Sequence, residues 1–284
     1  MPDTTDLVVT LRAAGCVFAE DEADLLMSSA RDDVELARMV EQRVSGLPLE
    51  HVVGWASFCG LRIEVDPGVF VPRRRTEILA AEAIALLPSS PAAGERAVVL
   101  DLCCGSGALG VAVASAGMAV ELYAADVEAA AVRCARRNVS GVGGRVFEGD
   151  LFEPLPSALK GRVDVLLANV PYVPSDEVRL LPAEARLHEP LVTLDGGADG
   201  LGILRRVSAE AGSWLVPGGH VLVETSEDQS ATAVAIFEGD GLAARVISEP
   251  EYGATVVIGT NGATVVGTKD DDTVVGTRGG ATLA

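Results

Sequence analysis

The chain has few aromatic residues: two Trp, three Tyr and six Phe in 284 positions. Its apolar load falls on small aliphatics instead, and at 49% hydrophobic overall a sizeable core is not in question. Positive charge is scarce as well. Lys and Arg number 22 against 41 Asp and Glu, for a formal net charge of −19. That balance disfavours a long surface that tracks nucleic-acid phosphates, because such affinity comes largely from Lys and Arg. The obvious basic run, Arg73-Arg74-Arg75, reads first as a solvated face and second as a small anion site. Cysteine is sparse and unpatterned. The five at 16, 59, 103, 104 and 134 form no Cys-x-x-Cys pair and no metal-ligand spacing, and an odd count does not suit a disulfide framework. A reducing cytoplasm is the simpler setting. The opening residues Met1–Asp6 lack the basic-then-apolar pattern of a signal peptide. One uncharged run, Leu102–Val120, is long enough to span a bilayer, but Gly105, Ser106, Gly107 and Gly110 interrupt it. It is expected to be a loop, a helix and a strand start inside a buried core, with no membrane contact.

Along the chain, residues 1–50 read as a small helical domain. Leu7, Leu11 and Ala14 share one face; Leu25, Leu26 and Ser29 share a second; Val34, Ala37, Val40 and Val44 share a third. Residues 51–96 form the next unit. Phe58–Val65 alternates, and Asp66-Pro67-Gly68 turns the chain into Val69-Phe70-Val71, which predicts a β-hairpin. Thr76 is placed to cap a helix running to Leu87, and Pro88–Gly94 reads as a linker.

From 97 to 260 short apolar strands alternate with helices. Strands are expected at Ala97–Leu102, Ala119–Ala124, Arg145–Glu148, Val163–Ala168 and His220–Glu224, with Pro217-Gly218-Gly219 ending the helix before the last of these. Alternation of this kind argues for an α/β domain with a mostly parallel sheet and helices on both faces. Ala243–Ser248 and Ala254–Ile258 leave no room for a crossover helix between them, so they are expected to pair antiparallel. Residues 261–284 repeat a Thr-Val-Val-Gly-Thr unit and read as a mobile tail. Asp270-Asp271-Asp272 lacks the rest of a calcium loop.

Two stretches carry the chemistry. Val99–Gly110 is a strand, a tight glycine turn and a helix start, the place where open α/β sheets bind ligands. Gly105 and Gly107 would let a ligand approach the backbone, and the exposed N–H groups of the helix start favour an anionic group such as a carboxylate. Gly105-x-Gly107-x-x-Gly110 with Asp126 also fits a dinucleotide fingerprint, so this motif by itself leaves a nicotinamide cofactor and S-adenosylmethionine both open. Three features favour the second. Asp101, at the strand end, can meet an ammonium group. Asp150, followed by Leu151, can accept from an exocyclic adenine amine. Asn169-Val170-Pro171-Tyr172 follows the fourth strand, beside the same crevice. The Asn169 side-chain oxygen and the Val170 carbonyl can each accept one hydrogen of a planar NH2 group. Pro171 holds Val170 extended, and Tyr172 can cover one face of a flat group. Read as local structure alone, Asn169–Tyr172 is a turn, and each carboxylate is a surface charge or a cap.

Together these motifs resemble the S-adenosylmethionine-dependent amino-methyltransferases. Within them the chain is similar to the protein-(glutamine-N5) methyltransferases, which methylate the Gly-Gly-Gln glutamine of peptide-chain release factors. Gly46–Gly54, Phe58–Leu61, Val71–Glu77, Glu189-Pro190, Leu194–Leu201 and Pro217–Gly219 also match that family's segments. Cys103 stands where the family usually has Gly, and Val170 where it has the first Pro of Asn-Pro-Pro-Tyr. The resemblance implies a doubly wound seven-stranded fold with an antiparallel last strand, over residues 97–260. It implies a cofactor held by Asp101, Cys103, Gly105, Gly107, Asp126, Asp150, Leu151 and Asn169. It implies Phe70, Arg73 and Thr76 on the substrate side with Asn169 and Tyr172, and Asn169–Tyr172 as the catalytic stretch. The partner implied is a release-factor-like protein carrying a target glutamine, with no nucleic acid and no membrane. Against this stand an adenine or other amino-methyltransferase, a non-catalytic S-adenosylmethionine-binding module and a nicotinamide oxidoreductase.

Overall fold

Four helices open the chain: α1 (Thr4–Ala13), α2 (Ala19–Ser29), α3 (Asp33–Val44) and α4 (Leu49–Val53). The computed structural model describes residues 4–88 and 96–262; most of the Pro88–Gly94 linker and the repeats after residue 262 lie outside the described residues. Leu7, Leu11, Ala23, Leu26, Leu36 and Met39 form a small core of their own. The face expected on α3 is used only in part, with Val40 packing against this core. Val34 is 81% exposed and Ala37 is exposed, while Leu36 and Met39 point inward. The buried stripe begins two residues later, at Leu36; Asp32 caps the helix, accepting from Glu35 N–H at 2.8 Å, and the first turn stays in water.

β1 (Trp55–Phe58) and β2 (Leu61–Glu64) form the hairpin, but its turn is Cys59-Gly60, not Asp66-Pro67-Gly68. Cys59 and Gly60 both take left-handed conformations, φ +50° and +71°, as a two-residue turn between twisted strands requires. Val69-Phe70-Val71 runs on as loop. Thr76 lies in a short helical turn, Arg74–Thr76, ahead of α5 (Glu77–Leu86), and its hydroxyl makes no cap.

The remaining elements alternate: β3 (Ala97–Leu102), α6 (Ala108–Ala114), β4 (Val120–Asp126), α7 (Ala129–Ser140), β5 (Arg145–Glu148), β6 (Val163–Ala168), α8 (Ala183–His188), α9 (Gly202–Trp214), β7 (Leu215–Thr225), α10 (Ser230–Gly239), β8 (Leu242–Glu249) and β9 (Ala254–Asn261). They build one seven-stranded sheet in the order β5-β4-β3-β6-β7-β9-β8. The β3–β4, β3–β6, β4–β5 and β6–β7 pairs are parallel, and β9 runs antiparallel between β7 and β8. Side chains alternate between two cores. Val98, Leu100 and Leu102 pack with Val207, Trp214 and Phe237 on one face. Ala97 and Val99 pack with Leu79, Ala83, Leu109 and Val113 on the other. Helices on both faces bury every β3 side chain, so the strand reads as an apolar run interrupted only by Asp101.

Two boundaries differ from expectation. Pro217-Gly218-Gly219 does not separate α9 from β7 but bulges within β7: Val163 pairs with Leu215, and Val165 with His220. The last strand continues to Asn261, whose side-chain amide donates to the carbonyls of Gly212, Leu215 and Val216 and ties the strand end to the start of β7. The sheet order reverses at β3, between β4 on one side and β6 on the other. That is the switch point where a crevice opens outside the carboxyl ends of parallel strands.

Candidate active site

The register of β3 and β6 brings the two motifs together. Leu102 pairs with Ala168, so the turn after β3 and the loop after β6 emerge side by side. They line one cavity of about 540 Å³.

On the β3–β4–β5 side, Cys103, Gly105, Asp126, Asp150 and Leu151 all reach the wall. Gly105 needs its positive φ of +55°, and Cys103 takes φ +52°, which explains why glycine is usual at this position. Burial pushes the Cys103 thiol well above its ordinary range, so it is a neutral, weakly polar wall. Asp126 accepts from Gly105 N–H at 2.8 Å and from Glu128 N–H at 2.9 Å. Burial raises its pKa, and those two N–H groups oppose the shift. A carboxylate has about four acceptor sites, so two remain to receive ribose hydroxyls. Asp150 meets Arg206 Nη2 at 2.7 Å on the rim and can still accept at its other oxygen. The set of acceptors therefore fits an adenosine-bearing cofactor.

Two expected contacts are absent from the wall. Asp101 is 1% exposed and turns beneath the glycine loop, where Oδ2 accepts from Gly110 N–H at 2.9 Å. Burial pushes its pKa up to about 7. It ties the end of β3 to the start of α6 and does not itself reach the cavity. Gly107 backs onto α7: a Cβ there would come within 2.9 Å of Val139 Cγ2, so its smallness serves helix packing.

The β6 side supplies Asn169, Val170, Pro171 and Tyr172, all on the cavity wall. No hydrogen bond to another described residue engages the Asn169 side chain or the Val170 carbonyl. The Val170 side chain is 2% exposed and packs in the core with Leu201 and Ala168, so an apolar β-branched residue fills the slot that proline otherwise takes. The loop is braced from behind. Gln229 donates to the carbonyls of Tyr172 at 2.8 Å and Asp199 at 2.9 Å. Gly200 passes so close that a Cβ would sit 2.1 Å from the Tyr172 oxygen. The Tyr172 hydroxyl donates to Glu224 Oε1 at 2.8 Å and accepts from Arg75 Nη2 at 2.6 Å; Arg75 Nε also reaches Glu224 at 3.0 Å. Burial and the Glu224 charge hold the phenol well above its usual range, so it stays protonated.

The hairpin unit closes the cavity. Phe70, Arg73 and Thr76 line it, with Arg73 stacked over the Phe70 ring at 5.0 Å. Sequence reasoning missed Glu224 and Gln229, and saw Arg75 only as part of a basic run. Their signal was faint, since single polar residues at element ends resemble ordinary surface positions. Glu189 appeared only as part of a family match. In the structure it lines the cavity beside Arg73.

The family profile described as Methyltransferase small domain matches residues 60–194. The release factor glutamine methyltransferase of Geobacter sulfurreducens is 34% identical over 223 residues, covering 78% of this chain and 75% of that protein. That of Mycolicibacterium smegmatis is 36% identical over 250 residues, covering 82% and 86%. The 4-amino-L-phenylalanine/4-methylamino-L-phenylalanine methyltransferase of Streptomyces pristinaespiralis is 37% identical over 212 residues, covering 74% and 72%. Among solved structures, a methyltransferase from Pyrococcus furiosus shares the fold at a TM-score of 0.53 and 18% identity, covering 72% of this chain and 90% of that one. The fold, the site and these relatives together place the chain in the release factor glutamine methyltransferase family, enzymes that use S-adenosylmethionine.

Proposed function

We propose that this protein methylates the side-chain amide nitrogen of a glutamine in a peptide-chain release factor. The observation that carries the reading is the pair of unengaged acceptors, Asn169 Oδ1 and the Val170 carbonyl, in the same cavity as Gly105, Asp126 and Asp150. Bound S-adenosylmethionine supplies an electrophilic sulfonium methyl. Cys103, Gly105, Asp126, Asp150, Leu151 and Asn169 would hold it, with Asp101 behind the turn and not in contact.

An amide nitrogen is a weak nucleophile because its lone pair is shared with the carbonyl. Asn169 and Val170 accept its two hydrogens and fix the direction of the lone pair. Positive charge grows on that nitrogen as the new bond forms, and the two fixed acceptors stabilise it. Tyr172, clamped by Arg75 and Glu224, holds the shape of the loop. A base is not required before transfer: as the N–CH3 bond forms the S–CH3 bond would break, S-adenosylhomocysteine would leave, and the methylated nitrogen would then give up its extra proton to water. The acidic balance of the chain argues for a protein substrate over nucleic acid. Among the described residues no helix is long and apolar enough to cross a membrane, and all five cysteines are free, which suits a reducing compartment.

The test is transfer of labelled methyl to an unmethylated release factor by the wild type and by Asn169→Ala. Label on one glutamine, reduced about 100-fold or more in the variant while cofactor binding persists, is the expected result. Label appearing only on a small aromatic amine would reassign the site to the chemistry named for the Streptomyces relative. Label on nucleic acid would make it a base methyltransferase.

A further inference from the structure

Glu189 follows α8, and its side chain is 1% exposed. Oε1 is occupied, accepting from the Val71 backbone N–H at 3.2 Å and from Arg73 Nη2 at 2.5 Å. Oε2 is buried and has no partner among the described residues. Leaving a buried polar atom unpaired is costly, and more so for a charged group. Thr76 Oγ1 and Glu224 Oε2 are also buried without a partner among the described residues, and of the three residues Glu189 and Thr76 line the cavity. The stack of Arg73 on Phe70 fixes the guanidinium, which in turn fixes the carboxylate. One oxygen is thus committed to the protein and the other is held ready.

A glutamine residue within a chain carries three N–H groups. Asn169 and Val170 take the two on the side-chain amide, and the backbone N–H is the one left. We infer that Glu189 Oε2 accepts the backbone N–H of the target glutamine, with the Thr76 hydroxyl donating to one of its carbonyl oxygens. The inference rests on the function proposed above. Glu189 is then a substrate-binding residue that holds the residue by its main chain while the other pole of the cavity holds its amide. It selects an amide borne on a peptide over one without a main-chain donor.

Glu189→Gln separates this role from a structural one. Its oxygen can keep the bonds to Val71 and Arg73 while its NH2 replaces the free acceptor with a donor of the same shape. Two substrates are compared: an unmethylated release factor, and the same factor with the α-hydroxy analogue of glutamine at the target position, which turns the one N–H into an ester oxygen. The wild type should lose about 10- to 100-fold in kcat/KM on the ester form, chiefly through KM. E189Q should lose a similar factor on the ordinary factor and recover on the ester form, where its N–H faces the new oxygen. Its calorimetric Kd for S-adenosylmethionine should match the wild type. An unchanged KM for E189Q, or equal loss by both enzymes on the ester, overturns the inference and leaves the proposed function standing. No methylation of the ordinary factor by the wild type overturns both.

Discussion

Asp101 shows how one side chain can serve a site it does not touch. Its carboxylate is fully enclosed between the end of β3 and the first turn of α6, with one N–H partner, Gly110. A Cβ on Gly110 would come within 3.0 Å of that carboxylate and 2.8 Å of Leu122, so the fit depends on glycine. Burial raises the pKa from 3.8 to about 7, helped by the Asp126 charge and opposed by the Gly110 N–H. The sign for stability follows. Between about pH 4 and pH 7 the unfolded chain has lost this proton and the folded one keeps it, so stability falls as pH rises across that window. Above it the penalty is constant. Asp101→Asn keeps an acceptor for Gly110 and removes the titration. Urea midpoints measured without added cofactor should coincide for the two proteins near pH 4 and separate by pH 8, with the variant the more stable. Midpoint curves that stay parallel from pH 4 to 8 would show that the carboxylate is not desolvated.

At the scale of elements, the strands were legible and the connections less so. The bounds of Val163–Ala168 match the expectation, because a strand covered on both faces is a nearly continuous apolar run, here broken only by Asp164. The hairpin turn was misplaced because Asp66-Pro67-Gly68 is the stronger local signal, whereas a cysteine hardly advertises a left-handed conformation. Cys59 nevertheless sits at φ +50°. Non-glycine residues pay roughly 1–2 kcal/mol for that region, and Asn tolerates it best. Cys59→Asn should therefore raise the thermal midpoint by about 1–4 °C. A drop in the midpoint would mean that the thiol's packing outweighs the backbone strain. α8 escaped notice for a different reason. Ala183–His188 has no buried residue and leaves Leu187 64% exposed, so no apolar stripe marks it. The chemistry divides the same way. Asp101, Asp126, Asp150 and Asn169 stand at or just past the ends of successive strands and are visible as a series, although Asp101 turns beneath the glycine loop. Glu189, Glu224 and Arg75 are held in place by partners up to 149 residues away, which no local pattern encodes.

Over the whole molecule, α8 is where the N-terminal helices meet the active site. Glu184 lines the cavity and also takes Arg43 Nη1 of α3 at 3.2 Å. Arg43 is the hub. It meets both oxygens of Glu22, at 2.6 and 3.1 Å, and donates to the Leu47 carbonyl at 2.9 Å. Its side chain is 13% exposed and that of Glu22 10%, while Glu184 is 44% exposed. The same arginine therefore makes a buried pair within the helical unit and an open one to the cavity rim, and the two should separate in experiment. Arg43→Ala strands the Glu22 carboxylate out of water and should cost about 3–5 kcal/mol, the range for removing one partner of a buried pair. Glu184→Ala removes a half-exposed partner and should cost under about 1 kcal/mol. Its effect belongs in kinetics: the rim loses its tie to α3, so KM for a release factor should rise severalfold while the unfolding midpoint holds. Denaturant unfolding and steady-state kinetics on both variants test the division. If E184A lowers stability as much as R43A, the rim contact is structural; if its KM is unchanged, the N-terminal helices have no hold on the substrate through α8.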